Sequence, residues 1–315
     1  MSLKETNQEH VTVAILMGTY NGENFLKEQL DSIVDQTFSD WAIHVSDDGS
    51  TDRTVEILEN YKTNLGEKKI FIRNGPHRGF VANFLSLACD EFIKAEFYAY
   101  CDQDDIWEQD KLERAIKWLN EVPTATPAMY CSRTSLIDSN GKSIGFSTLF
   151  KRPPSFENAL VQSIAGANTI VFNQAAKDLL IKAGSDVDVP SHDWWLYLVV
   201  TACGGVVKYD AHPSVRYRQH GKNLVGKNLG FRAFFKRLAM GVGGTFSKWT
   251  DQHLLGLDKL VDLISFESKV RLSQFRAYKT ANRLSRLVLF KKLGIYRQTV
   301  LGTLILKVAA FWGKL

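Results

Sequence analysis

Cysteine is scarce in this chain of 315 residues, and its spacing follows no known pattern. No two cysteines form a Cys-x-x-Cys pair or the spacing of a zinc site, so the sequence indicates neither a disulfide framework nor a structural zinc. Such cysteine usage is typical of a protein in a reducing cytoplasm. The four cysteines are Cys89, Cys101, Cys131 and Cys203.

Long apolar runs and two common phosphate-binding motifs are also missing. No apolar run reaches the ~18 residues expected of a membrane-spanning helix, and residues 1–10 lack the apolar core of a signal peptide. Residues 140–143 contain Gly-Lys-Ser, but Leu136 stands where a P-loop needs glycine. No Gly-x-Gly-x-x-Gly follows the first apolar run. We therefore expect a chain that is neither secreted nor membrane-spanning, without a P-loop or a Rossmann dinucleotide site.

Acidic residues become sparse towards the end of the chain. Residues 227–315 contain 17 lysines and arginines but only four aspartates and glutamates, whereas the whole chain carries a net charge of +5. A block this basic suits a polyanion. Phe, Leu, Ile and Trp lie between the basic residues at 231–240 and 284–312, which favours helices lying in the interface of an anionic membrane. No nucleic-acid-binding module is recognisable, so we expect no nucleic-acid partner. The alternative is a helical bundle packed on the rest of the chain or on a second subunit.

Apolar runs alternate with helix-like stretches in the first half of the chain. This alternation predicts an α/β fold, a mainly parallel sheet with helices on both faces, in which ligands lie beyond the carboxyl ends of the strands. Each run ends in a polar cluster, so four clusters should converge on one rim. The runs are 11–17, 41–46, 69–73 and 97–101, and the clusters are 18–21, 46–50, 74–79 and 102–105.

The last of these clusters, Asp102-Gln103-Asp104-Asp105, places three carboxylates within four residues. Their mutual repulsion is relieved by a divalent cation such as Mg²⁺ or Mn²⁺, which in turn binds diphosphate oxygens. The alternative is an acidic turn that caps the helix beginning near Trp107. In the second cluster, Asp47 and Asp48 could accept hydrogen bonds from a nucleobase or ribose, or simply belong to a helix cap.

Two later segments also combine reactive residue types. Asp193 stands at a predicted helix start beside Trp194 and Trp195, where partial desolvation would raise its basicity and the indole rings could stack on a sugar. The alternative is a capped helix whose tryptophans are core residues. Arg218 and His220 lie in the segment 216–221, which suits phosphate oxygens and a further metal position, or else is a solvated basic strand.

Taken in order, these motifs resemble family 2 glycosyltransferases with the GT-A fold. The resemblance spans roughly residues 11–221 and is nearest to bacterial rhamnosyltransferases of surface polysaccharide synthesis. It rests on Thr-Tyr-Asn-Gly at 19–22, Ser-Asp-Asp-Gly-Ser-Thr-Asp at 46–52, Gly-Phe-Val-Ala-Asn-Phe at 79–84, Asp-Gln-Asp-Asp-Ile-Trp at 102–107, His-Asp-Trp-Trp at 192–195 and Tyr-Arg-Gln-His-Gly at 217–221.

The resemblance implies an inverting, metal-dependent transfer, and it assigns roles to positions of this sequence. Asp193 would be the catalytic base, and Asp104 would bind Mg²⁺ or Mn²⁺ with His220 as a further ligand. The residues implied to bind the nucleotide and diphosphate are Thr19, Tyr20, Glu23, Asp47, Asp48, Arg78, Asp102 and Arg218. Those implied to lie near the sugar or acceptor are Asn168, Trp194 and Trp195.

The resemblance implies the donor, the acceptor and the catalytic domain, whereas the membrane contact and the C-terminal helical region are predicted from the charge and apolar pattern described above. We expect a dTDP- or UDP-sugar donor, with rhamnose from dTDP-rhamnose as the sugar, a glycan or lipid-linked acceptor, and peripheral contact with the inner face of the cell membrane. The chain could also form a homodimer. The predicted GT-A catalytic domain covers 1–226, with a nucleotide-binding half at about 11–105 and an acceptor half at about 106–226, and a basic helical region follows at 227–315. The competing hypothesis is a catalytically silent sugar-nucleotide or glycan-binding protein of a polysaccharide-assembly complex.

Overall fold

A computed structural model describes residues 11–220 and 244–315 of the chain. The predicted domain boundary at 226/227 and the basic segment 231–240 lie outside the described residues.

The first half folds as the predicted βα repeat. Its elements are β1 (Val11–Thr19), α1 (Leu26–Val34), β2 (Trp41–Asp47), α2 (Thr54–Leu65), β3 (Ile70–Asn74), α3 (Phe80–Ala88) and β4 (Ala95–Cys101). Helix α1 begins only at Leu26, because Gly22 closes a turn by accepting hydrogen bonds from the N–H groups of Phe25 and Leu26.

The second half is mixed, as its irregular pattern indicated. Its elements are β5 (Ile106–Trp107), α4 (Lys111–Leu119), β6 (Ala128–Asp138), β7 (Ser143–Phe146), α5 (Phe156–Ala159), a 3₁₀ turn (Ala167–Thr169), β8 (Val171–Asn173), α6 (Gln174–Ala183), α7 (His192–Ala202) and β9 (Val206–Gln219). The segments 206–209 and 214–218 belong to one continuous strand, β9. A register shift opposite Ser132 and Thr134 of β6 accommodates the residues between them.

The described strands form one nine-stranded sheet in the order β3-β2-β1-β4-β8-β6-β9-β5, with β7 paired to β6. Strands β3, β2, β1 and β4 are parallel, whereas β8 is antiparallel to both β4 and β6. Thr19 pairs with Asp47, and Met17 pairs with Cys101. This register brings the polar clusters after β1, β2 and β4 to the same edge of the sheet.

Both faces of the sheet are covered, as expected for a mainly parallel sheet. Along β1, Ala14 and Leu16 belong to one core cluster, whereas Val13, Ile15 and Met17 belong to the other. Successive side chains of a strand point to opposite faces, so this alternation shows helices packed on each side.

Four helices follow in the described C-terminal part: α8 (Thr245–Asp258), α9 (Phe266–Thr280), α10 (Arg283–Leu293) and α11 (Val300–Phe311). They share a hydrophobic core with α7, since Leu257 and Phe275 are buried in the same cluster as Trp195. A Cβ atom on Gly256 would lie 2.7 Å from the Trp195 ring, so glycine permits the close approach of α8. These helices therefore pack on the rest of the chain through α7, as one interpretation of the basic region predicted. In the described ranges, no helix is both long and apolar enough to cross a membrane.

Candidate functional site

The loop after β2 is held by Asp47. One carboxylate oxygen accepts hydrogen bonds from the hydroxyls of Thr19, at 2.7 Å, and Ser50, at 2.6 Å. The other accepts from the backbone N–H groups of Gly49, at 3.2 Å, and Ser50, at 2.8 Å. A carboxylate has about four acceptor positions, and these bonds engage all of them. Asp47 and Thr19 thus shape the loop, and a nucleobase contact at Asp47 would have to replace one of these bonds.

Asp48 ties this loop to the neighbouring loop after β3. Its two oxygens accept hydrogen bonds from the backbone N–H groups of His77, at 2.7 Å, and Gly79, at 2.8 Å. His77 has a left-handed backbone with φ of 55°, which the bond to Asp48 helps to hold. The exposed side chain of Arg78 lies between these two anchored residues. Asp48 therefore positions the loop that carries Arg78.

The loop after β1 presents Tyr20, whose side chain is 58% exposed. Its backbone is bonded to the side-chain amide of Gln103. Glu23, in the same loop, faces the start of α2, because its carboxylate accepts a hydrogen bond from the N–H of Arg53 at 3.2 Å. Tyr20 is thus placed at the rim, while Glu23 caps a neighbouring helix.

Asp102 and Asp104 lie on the rim directly after β4. Burial, and then the negative charges of Asp104 and Asp193, raise the pKa of Asp102 to about 7. Such a concentration of carboxylates in a partly buried place favours binding of a cation.

Asp104 and His220, the two predicted metal ligands, lie within hydrogen-bonding distance of each other. The Nε2 atom of His220 lies 2.8 Å from an Oδ atom of Asp104, and the imidazole ring packs against Phe25 with 5.0 Å between ring centroids. Among the described residues, no group of three or more His, Cys, Asp or Glu side chains is arranged to hold a metal ion. A donor set of one carboxylate and one imidazole suits Mn²⁺, whereas Mg²⁺ would use the carboxylate oxygen; phosphate oxygens and water commonly fill the other positions of either ion.

Buried hydrogen bonds of Asp105 and Arg218 hold the loop that carries Asp104. Asp105 accepts a hydrogen bond from the backbone N–H of Arg218 at 2.9 Å and another from the Asn168 amide. The guanidinium of Arg218 donates to the backbone oxygen of Asp104 at 3.0 Å and to Glu28 at 2.7 Å. Arg218 is only 1% exposed and Asn168 only 3%. This corrects two expectations: Arg218 braces the Asp104 loop instead of facing a diphosphate, and Asn168 is engaged with Asp105 instead of facing a sugar.

Asp193 lies at the first turn of α7, near enough to Asp102 for their charges to interact. Burial raises the pKa of Asp193, and hydrogen bonds from the Ser191 side chain, nearby backbone N–H groups and Ser163 partly oppose the rise. The Ser163 hydroxyl lies 3.4 Å from its Oδ2 atom. A carboxylate of raised basicity near the carboxylate cluster can act as a general base.

The adjacent tryptophans are core residues, which corrects the expectation that they stack on a sugar. Trp195 is fully buried and Trp194 is 8% exposed. The Trp194 Nε1 atom donates to the backbone oxygen of Ala159 at 2.6 Å, and its ring meets His253 edge-on. Neither indole has a free face, so the alternative interpretation of a core-packed helix applies to them.

Three residues of the site were not singled out from the sequence. Gln103 contacts Tyr20, 83 positions away, Glu28 pairs with Arg218, and Ser163 donates to Asp193. Gln103 lies inside an acidic motif, but its contact with Tyr20 is a product of the sheet register. Ser163 and Glu28 belong to no sequence motif that would have indicated a role in the site.

Comparison with known proteins identifies the chain. The model of "Glycosyl transferase family 2" matches residues 14–179. The dTDP-rhamnosyl transferase RfbG of Shigella flexneri is 31% identical over 232 residues, covering 71% of this chain and 78% of RfbG. The putative teichuronic acid biosynthesis glycosyltransferase TuaG of Bacillus subtilis is 25% identical over 163 residues, covering 51% of this chain and 62% of TuaG.

Solved structures show the same fold at low sequence identity. TarS of S. aureus in complex with UDP-GlcNAc gives a TM-score of 0.53 at 14% identity, covering 96% of this chain and 89% of that one. GalNAc-T7 with UDP, GalNAc and Mn²⁺ gives 0.52 at 9% identity, covering 93% of this chain and 56% of that one. These neighbours are GT-A transferases, so the sheet described above is a GT-A fold followed by helices. The chain belongs to glycosyl transferase family 2.

Proposed function

We propose that this glycosyltransferase moves rhamnose from dTDP-rhamnose to a glycan or lipid-linked acceptor in bacterial surface polysaccharide synthesis, by a single inverting displacement. The observation that carries the proposal is the position of Asp193, a carboxylate of raised pKa near Asp102 on the rim. The choice of donor is supported by the similarity to RfbG over 71% of the chain. The presence of both Asp104 and Asp193 argues against a catalytically silent binding protein, which would need neither residue.

In this proposal, Asp104 and His220 hold Mg²⁺ or Mn²⁺. A bound cation would offset the negative charge that develops on the departing diphosphate. The 2.8 Å approach of Asp104 and His220 supports the assignment, as does the presence of Mn²⁺ in the GalNAc-T7 structure. Arg78 would add a second positive charge near the diphosphate, because its loop is anchored to Asp48.

The remaining roles follow from exposure and basicity. Tyr20, at 58% exposure, offers a ring on which the nucleobase can stack. Asp193 takes the proton from the acceptor hydroxyl as the oxygen attacks the anomeric carbon, and this avoids a cationic intermediate on the acceptor. Asp102, beside it, lines the diphosphate side of the pocket.

Donor binding is tested by thermal denaturation with nucleotides, with and without Mn²⁺ or Mg²⁺. A ligand at ~100 times its dissociation constant stabilises the folded state by about 2.7 kcal/mol. We expect dTDP and dTDP-rhamnose to raise Tm by several degrees only when the metal is present. A shift with GDP compounds but not with dTDP or UDP compounds would contradict the proposed donor, and the absence of any shift would contradict the site itself.

Peripheral membrane contact through the C-terminal helices is part of the same proposal. Helix α11 exposes large apolar side chains at every fourth position: Val300 at 90%, Leu304 at 57%, Val308 at 43%, with Trp312 at 55% just after its end. The exposed residues Lys307 and Lys314 flank this stripe. An apolar stripe beside cations suits an anionic lipid surface, where each basic residue adds about 1 kcal/mol to binding.

The double variant Leu304→Glu/Val308→Glu is expected to weaken sedimentation with vesicles of anionic lipid at least about tenfold, because two apolar contacts are lost and two negative charges are added. Phe92→Glu is the matched control, since Phe92 is 85% exposed in the connection between α3 and β4. Unchanged vesicle binding of the double variant would contradict the assignment. If the double variant instead converted a dimer into a monomer in sedimentation equilibrium, the stripe would be a homodimer interface.

A further inference from the structure

The middle residue of the Asp102-Gln103-Asp104 motif reaches back to the first loop of the sheet. The Gln103 Oε1 atom accepts a hydrogen bond from the backbone N–H of Tyr20 at 2.8 Å, and its Nε2 atom donates to the backbone oxygen of Tyr20 at 2.9 Å. The primary amide thus pairs with the peptide in both directions, as a neighbouring strand would. This pairing begins one residue after the end of β1, where regular sheet pairing stops.

The amide fits closely against the same loop. A Cβ atom on Gly22 would lie 2.4 Å from the Gln103 Oε1 atom, so only glycine leaves room for this side chain. Gly22 is not in a left-handed conformation, so its backbone alone does not require glycine. The Gly22 N–H donates to Thr54 at 2.7 Å, and the Asn21 N–H donates to Ser50 at 2.8 Å. The loop is therefore held by residues 50–54 on one side and by Gln103 on the other.

We propose that Gln103 is a positioning residue for the donor pocket. It fixes the backbone that carries Tyr20, and so places the exposed Tyr20 ring relative to Asp104, its own neighbour in the chain. The nucleobase end and the diphosphate end of the pocket are thereby held at a set separation. This inference rests on the proposed function, in which Tyr20 meets the nucleobase and Asp104 the metal.

The direct test is Gln103→Ala. Removing two hydrogen bonds to the Tyr20 backbone is expected to raise Kd and KM for the donor about tenfold, with a smaller change in kcat. Gln252→Ala is the matched control, because the Gln252 amide makes an exposed bond of 2.9 Å to Asp188. A purely structural role would lower Tm and leave KM unchanged, so an unchanged KM would overturn the inference.

Two double variants separate this mechanism from a general loss of folding. Gly22→Ala should displace the Gln103 side chain and weaken donor binding to the same extent, whereas Gly22→Ala/Gln103→Ala should be no worse than either single variant. In a Tyr20→Ala background, Gln103→Ala should cause no further loss of donor affinity. Additive losses in either pair would contradict the proposal. Failure of the unaltered enzyme to bind any nucleotide would instead count against the proposed function itself.

Discussion

Asp193→Asn is expected to lower kcat about 10³-fold while leaving the donor Kd nearly unchanged. Asparagine keeps the size of the side chain but cannot take the acceptor proton, and general base catalysis commonly contributes ~10²–10⁴-fold. The measurement is steady-state transfer together with donor binding by calorimetry. Asp188→Asn is the matched control, because Asp188 is an exposed carboxylate only five positions earlier. Retained turnover in the Asp193 variant would remove Asp193 from its proposed role.

The pH dependence gives a second readout of Asp193. The base acts in its deprotonated form, so transfer should rise with pH through the pKa of Asp193 and level off above it. Burial raises that pKa above the ordinary value of an aspartate, so the acid limb should lie above pH 3.8. Ser163→Ala removes a hydrogen bond that favours the charged form, and should move the acid limb further up. If the acid limb of the unaltered enzyme lay at the ordinary pKa of an aspartate, Asp193 would not be the base.

Asp104→Ala is expected to abolish the metal dependence of donor binding and to lower donor affinity by about 100-fold, the upper end of the loss seen when outer-shell partners of a metal site are mutated. The variant deletes the carboxylate that lies 2.8 Å from His220 and leaves the imidazole as the remaining one of the two proposed ligands. The measurement is the Tm shift with dTDP at increasing Mn²⁺. His220→Ala should also weaken the metal dependence of donor binding, but by a smaller factor.

Asp262→Ala serves as the control for Asp104→Ala, because Asp262 is exposed in the connection between α8 and α9. It should leave the metal titration unchanged. An Asp104 variant with the metal titration of the unaltered enzyme would show that the cation binds elsewhere or is not needed.

The sheet and its rim could be predicted from local patterns. The runs at 11–17, 41–46 and 97–101 are mainly apolar because β1, β2 and β4 are covered on both faces. The clusters after them had to meet, since parallel strands end at the same edge. The continuity of β9 could not be predicted in this way, because Pro213 and the polar residues near it resemble a turn until β6 is seen alongside.

The roles of charged and aromatic residues were harder to predict. Arg218 lies in a basic motif that suits a phosphate, yet its guanidinium is buried against Asp104 and Glu28. Trp194 and Trp195 lie beside Asp193 in sequence, but on a helix successive residues point about 100° apart. Their rings are therefore turned into the core shared with α8, while Asp193 remains near Asp102.

The family, the βα order and the set of polar residues at the rim could be predicted without a structure, because these depend on periodicity and on short motifs. Tertiary packing was needed to show which of those residues are exposed, which brace the others, and that the Gln103 amide bonds the backbone of Tyr20. The physical reason is that a hydrogen bond between residues 20 and 103 depends on strand register and loop packing. Both are set by the whole sheet and by neither segment alone.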